Sequence, residues 1–153
     1  MSDQFKKYAK LRKTYTKKKG GETLERIILF DGVCNLCNNS VQFIIKRDSI
    51  GLFKFASLQS ETGQSLLKKH GLNNDLKSFV LLENDKFYIK SSAALRVCSK
   101  LGRAWPLLSI LRFLPPFSRD FLYDIVANNR YKWFGKKESC MLPLPEWRER
   151  FLD

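Results

Sequence analysis

The sequence predicts an α/β domain: a small four-stranded mixed sheet with helices packed on it. Three observations carry that prediction. A nearly continuous apolar run, "RIILF" (Arg26–Phe30), gives way to apolar positions at helical spacing. The same strand-then-helix order recurs once downstream. Two further strand-like runs then meet at a tight turn before another helix. With 153 residues the chain has room for one domain with a real core, and too little for two.

Each element has its own justification. "RIILF" suits a strand buried on both faces, and Asp31-Gly32 ends it. From Cys34 the period changes: Cys37, Val41, Ile44 and Ile45 fall on one face of a helix that stops near Asp48, before Gly51. "LFKFA" (Leu52–Ala56) alternates as a strand does. "SETGQSLLKKHG" reads as a helix ending at Gly71, with Gly63 a poor helix former near its start. "SFVLLE" and "KFYIK" form a hairpin through Asn84-Asp85. Ser91 or Ser92 is expected to cap the next helix, whose inner stripe is Ala94, Val97, Cys98 and Leu101. The order β-α-β-α-β-β-α is thioredoxin-like.

From about residue 103 the character changes. Prolines punctuate a stretch rich in aromatics and leucine, read as a helical C-terminal extension of the single domain spanning residues 22–153. Trp105–Phe117 has the composition of a membrane-surface segment, but Arg112 and Pro115-Pro116 cut it short, so packing against the core is the expectation.

Charge is unevenly placed. The net charge is +13, and residues 1–19 hold eight basic side chains against the single acid Asp3. Residues 1–21 therefore read as a flexible basic arm, able to touch nucleic acid or an anionic membrane but expected to be a solvated tail. No apolar run is long enough for a membrane-spanning helix, and the N-terminus lacks the apolar centre of a secretory signal. The expected location is the cytoplasm.

Four cysteines are present: Cys34, Cys37, Cys98 and Cys140. In a reducing compartment the close pair Cys34-Asn35-Leu36-Cys37 suits catalysis or metal binding better than a structural staple. Four-ligand zinc or iron–sulfur sites usually need a second close pair; Cys98 and Cys140 lie far apart, and no metal is expected. Residues at i and i+3 share a helix face, so the two sulfurs can meet in a disulfide. Unpaired N–H groups and the helix dipole favour a thiolate at Cys34, the expected nucleophile. Cys37, on the apolar stripe, is expected to be the shielded resolving thiol, with Cys34 at the exposed end. Asp31 is read either as a general base for Cys37 or as a carboxylate orienting the loop, and Gly32 as a turn residue. Cys98 is expected to be a buried inert thiol, and His70 a surface residue or helix C-cap. No organic cofactor is implied, because the electrons reside in the sulfurs.

Several stretches together resemble one family. They are "FDGVCNLC" (Phe30–Cys37), "FASLQS" (Phe55–Ser60), "YIKSSAAL" (Tyr88–Leu95), "LPPFSRDFLYDIVANNRYKWFG" (Leu114–Gly135), and Cys140 before "PLPEWRERFL". From about Arg26 to Leu152 the chain resembles the DCC family of predicted thiol-disulfide oxidoreductases. The resemblance implies a thioredoxin-like fold and disulfide exchange, with Asp31, Cys34 and Cys37 matching the family's Asp-x-x-Cys-x-x-Cys signature. Ordinary thioredoxins carry a cis-proline before the third strand; here "LKSFVLL" has Lys77 or Ser78 in that place. Arg130, Tyr131, Trp133, Phe134 and Asn129 are read either as a lid or pocket beside the thiols, or as packing in which Arg130 pairs with Asp124 or Asp120. Cys140 is a candidate third redox thiol. The expected partners are a disulfide-bearing protein or a small thiol such as glutathione, with the external reductant unidentified. Two other classes stay open: a binding module using the basic arm, and a metal-binding protein.

Overall fold

The computed structural model describes residues 26–73, 78–84, 86–102, 104–139 and 143–153. The basic arm, Lys77, Asp85 and Cys140 lie outside the described residues. Among the described residues one mixed sheet has the order β2-β1-β3-β4, made of β1 (Arg26–Phe30), β2 (Phe53–Ser57), β3 (Val80–Glu83) and β4 (Lys86–Ile89). β1 pairs parallel with β2 and antiparallel with β3, and β3 pairs antiparallel with β4. The helices are α1 (Asn35–Arg47), α2 (Glu61–Lys69), α3 (Lys90–Cys98) and α4 (Pro116–Phe134), with 3-10 helices at Trp105–Phe113 and Pro145–Arg150. The architecture is α/β and thioredoxin-like.

β1 is buried on both faces, which explains its unbroken apolar run. Ile28 and Phe30 join Val41, Ile44 and Ile45 of α1 with Phe53, Phe55, Leu81 and Val97. Ile27 and Leu29 face the other way, onto Leu67 of α2 with Ala56, Val80 and Leu82. Side chains on a strand alternate, so a central strand covered twice must be apolar at every position. Each such side chain contributes about 1.5–3 kcal/mol by burial.

Several expectations shift in detail. β2 starts at Phe53 rather than Leu52. Gly63 is a packing requirement: a Cβ there would come within 2.0 Å of the Ser57 carbonyl oxygen. α3 is not capped by Ser91 or Ser92. It begins at Lys90 (φ +52°) with Ile89 as N-cap, and the Ser91 hydroxyl instead donates to Asp120 on α4. Cys98 is half-buried, because it borders a cavity between helices rather than filling the core.

The largest departure is the C-terminal region. The 3-10 helix Trp105–Phe113 buries none of its residues fully, and among the described residues of α4 only Arg130 is buried. The expected packing of this segment into the core does not occur beyond Trp105, which stacks edge-on against Phe43 of α1. The last residues do pack: Phe151 bridges to Phe55 of β2 and contacts the Phe30 ring, and Ser57 N–H donates to Asp153 Oδ2 at 2.8 Å.

Candidate active site at the strand-to-helix turn

The turn from β1 into α1 is organised by its own backbone and by two amides. Cys34 N–H donates to the Asp31 carbonyl at 3.2 Å, closing the turn. The Asn38 side chain, buried on the first turn of α1, donates to the Gly32 carbonyl at 3.0 Å. Gly32 N–H in turn donates to Gln59 Oε1 at 3.0 Å, tying the loop to the end of β2. Cys34 is the N-cap of α1, and its sulfur accepts the Cys37 N–H at 3.4 Å. A cap acceptor satisfies one of the amides left open at a helix start. Both thiols are free and sit one helical turn apart.

Their exposures reverse the sequence expectation. Cys34 is fully covered (0% exposed), whereas Cys37 is half-buried. The cover is the strap that leaves α4. Asn35 N–H donates to the Gly135 carbonyl at 3.3 Å, Lys137 N–H donates to the Val33 carbonyl at 2.8 Å, and Lys136 bridges Cys34 as a β-partner. The Asn35 side chain also donates to the Phe134 carbonyl at 2.9 Å, capping α4. Gly135 makes the strap possible, with φ +84° and ψ 168° in a region open essentially to glycine alone. Cys37 escapes the strap because it lies a turn further along α1.

Asp31 is 4% exposed and bound at both oxygens. Oδ1 accepts from Gln59 Nε2 at 2.8 Å and from Val33 N–H at 3.2 Å. Oδ2 accepts from Arg130 Nη2 at 2.9 Å and from the Tyr131 hydroxyl. Burial pushes the carboxyl up, but the bonds from Tyr131, Arg130, Gln59 and Val33 outweigh it and hold Asp31 below its ordinary value. The arrangement is that of an anchored anion with its acceptor sites occupied. Arg130 pairs with Asp31, not with Asp124 or Asp120; those carboxylates bind Lys90 and Ser91. Two residues of α4 thus reach the loop that carries the thiols.

Cys37 opens onto a cavity of about 460 Å³ between α1, α3 and α4. Phe43, Phe79, Val97, Leu101 and Val126 make its wall largely apolar; Cys98, Tyr123 and Arg130 add polar points. Burial is the main push raising the Cys37 thiol well above its ordinary range. The hydrogen bond and charge of Cys34 and the charge of Asp31 add to it, and Arg130 opposes them. A second cavity of about 580 Å³ is bordered by Asp31, Gln59, Tyr131, Lys136 and Lys137, so Asp31 belongs to both walls. Ser78 is half-buried before β3, beside the cavity-lining Phe79. The Phe79 backbone is already engaged: its N–H donates to the Tyr123 hydroxyl at 3.0 Å and its carbonyl accepts from Lys90 N–H at 3.2 Å. Trp133 and Phe134 are exposed, the Asn129 side chain donates to the Ile125 carbonyl, and none of these three borders the two cavities. Among the described residues no three His, Cys, Asp or Glu side chains gather as a metal site.

Sequence reasoning gave no role to Gln59, Asn38 or Tyr123. Gln59 lies within "FASLQS", but its contacts with Asp31 and Gly32 span a gap of more than 25 residues that no periodicity reveals.

Comparison with known proteins fits this geometry. The family model described as DCC1-like thiol-disulfide oxidoreductase matches residues 28–136. The chain is 57% identical over 128 residues to "Uncharacterized protein YuxK" of Bacillus subtilis (strain 168), covering 83% of this chain and 93% of that protein. It is 49% identical over 118 residues to "DCC family protein At1g52590, chloroplastic" of Arabidopsis thaliana, covering 76% of this chain and 69% of that one. No solved structure is a significant match.

Proposed function

Because the chain belongs to the DCC1-like thiol-disulfide oxidoreductase family, we propose that it exchanges disulfides through Cys34 and Cys37, with Cys34 attacking and Cys37 resolving. The observation that carries this reading is the placement of the pair on the first turn of α1, with the Cys37 amide on the Cys34 sulfur. The Cys34 thiolate attacks a substrate disulfide R–S–S–R′, forming Cys34–S–S–R and releasing R′S⁻. Cys37 stays protonated until then, held so chiefly by its burial, with the hydrogen bond and charge of Cys34 adding to it. Once Cys34 is in the neutral mixed disulfide, the added push of its charge is gone, while that of burial remains. Cys37 then gives up its proton to the leaving thiolate or to water, attacks Cys34 and releases RS⁻. Two electrons have passed to the substrate, and a thiol reductant restores the dithiol. The proposed setting is the cytoplasm, whose thiol pool is reducing.

Asp31 acts here as the anchor that holds the loop rather than as a proton acceptor, since four donors already occupy it. Arg130 and Tyr131 position it, and Gly32 supplies the carbonyl and amide by which Asn38 and Gln59 grip the turn. The strap over Cys34 must lift for attack. The substrate we favour is a small disulfide, because the cavity at Cys37 has the volume of a small-molecule site. Docking a peptide as an added strand needs open backbone groups, and those of Phe79 are taken.

The test is a redox titration of the pair against glutathione with single-variant assays. Cys34→Ser is expected to abolish turnover of a small disulfide such as hydroxyethyl disulfide. Cys37→Ser is expected to accumulate a mixed disulfide at Cys34, detected by intact mass. Full turnover by the Cys34→Ser protein would overturn the assignment.

A further inference from the structure

A second feature of the molecule is independent of the thiols. Between residues 107 and 122 the chain turns large apolar side chains to solvent. Phe113 is 91% exposed and Phe117 78%, with Leu107, Ile110, Phe121 and Leu122 all above 60%. Monomers rarely expose a contiguous apolar patch of more than a few hundred Å², and larger ones mark a contact surface. Here the ridge of exposed apolar side chains runs from the 3-10 helix through the Pro115-Pro116 turn into the first half of α4, interrupted by the half-buried Ser109 and Ser118 to Asp120.

The charge around the ridge says what could cover it. Residues 86–119 contain no acid and seven basic side chains, of which Lys90 pairs with Asp124 and Arg96 with Glu83. The nearest acids on α4, Asp120 and Asp124, are turned to Ser91 and Lys90. Arg112 lies exposed within the ridge itself. A second copy is a poor cover, because each copy carries +13. An anionic bilayer surface suits both properties at once: apolar side chains enter the headgroup–acyl boundary while basic ones stay among the phosphates. Binding at such a surface grows with the apolar area buried and with the attraction to anionic lipid.

We propose that the ridge from Leu107 to Leu122 seats the protein on an anionic lipid surface, with Phe113 and Phe117 flanking the Pro115-Pro116 turn as the inserted tip. α4 then lies along the interface with Arg130 and the thiol loop on its protein side. The net +7 of residues 1–19 adds to the attraction without supplying apolar contact.

The test is co-sedimentation of the full chain with phosphatidylcholine vesicles prepared with and without phosphatidylglycerol, at low and high salt. Wild type is expected on the anionic vesicles, with binding weakened by salt. Phe113→Ser/Phe117→Ser is expected to lower partitioning at least ~10-fold while circular dichroism stays unchanged, since both side chains are solvent-facing. Ile110→Ser is the second variant should the first misfold, with a smaller loss expected. Absence of binding to anionic vesicles overturns the proposal. So does undiminished binding by the serine variants, which would assign attachment to the basic arm alone. Sedimentation analysis showing a stable dimer that the double variant dissolves would overturn it too, by naming a second copy as the cover.

Discussion

α1 and α4 flank the same thiol loop and are held there by opposite means. α1, 13 residues long, buries Val41, Ile44 and Ile45 against the sheet. α4, 19 residues long, buries an arginine and leaves Phe117, Phe121 and Leu122 in solvent. Polar contacts dock α4 instead: Arg130 and Tyr131 to Asp31, Asp124 to Lys90, Asp120 to Ser91, and Tyr123 to the Phe79 amide. Hydrophobic burial is non-directional and tolerates a shift of packing; a charged hydrogen-bond set does not. The difference suits their positions. α1 must be stable because it carries the sulfurs, and α4 must be aimed because its last turn and strap close over one of them.

Breaking the polar docking should give the largest effect. Arg130→Ala leaves the buried Asp31 carboxylate without its counter-charge, an expected loss of about 3–5 kcal/mol in urea denaturation. The pH dependence carries a sign. Asp31 has a folded pKa held below its ordinary value, so its contribution is complete above the unfolded value of about 3.9 and is lost as pH falls through the folded one. In the variant the burial that pushes Asp31 up has lost its main opponent of opposite charge. The gap in stability between variant and wild type should therefore narrow on acidification. A gap that is constant from pH 7 to about pH 3 would mean the ion pair does not hold the helix.

Next in size is the strap. Gly135→Ala places a side chain where only glycine is at ease, and its Cβ would approach Asn35 Nδ2 to 3.0 Å. At about 1–3 kcal/mol of strain, the strap should open more often, and Cys34 alkylation by iodoacetamide should speed up about 5- to 100-fold with Cys37→Ser as background. An unchanged rate would show that Cys34 is reached by another path. The smallest effect sharpens the contrast from the other side. Phe121→Ser on α4 removes a large apolar group yet should change stability by less than about 0.5 kcal/mol. A core Phe loss costs about 3–5 kcal/mol, so a cost of that size here would mean that α4 packs more deeply than its exposure indicates.

Between Arg26 and Gly102 most of the fold was legible, because strand and helix there follow local periods and turn chemistry. The departures share one origin. Local chemistry favours Ser91 or Ser92 as a cap, but the Ser91 hydroxyl is claimed by Asp120 from 29 residues away. The apolar stripe places Cys37 on the hidden side, but the covering segment falls on Cys34. Aromatic composition favours the core, yet no period within the aromatic segment tells which side faces the sheet.

The sequence by itself determined the mixed sheet, the helix that starts at the cysteine pair, and the membership of that pair in one turn. These depend on hydrogen bonds and side-chain periods spanning a few residues. Only the tertiary structure decided which sulfur is covered, what Asp31 binds and which way α4 is turned. Those rest on contacts between residues distant in sequence, among them Asp31 with Arg130 and with Tyr131, 99 and 100 positions apart, and Cys34 with Lys136 of the strap. A pairing at that distance is chosen by the global packing of the chain, which brings the Arg130 guanidinium to the buried Asp31 carboxylate.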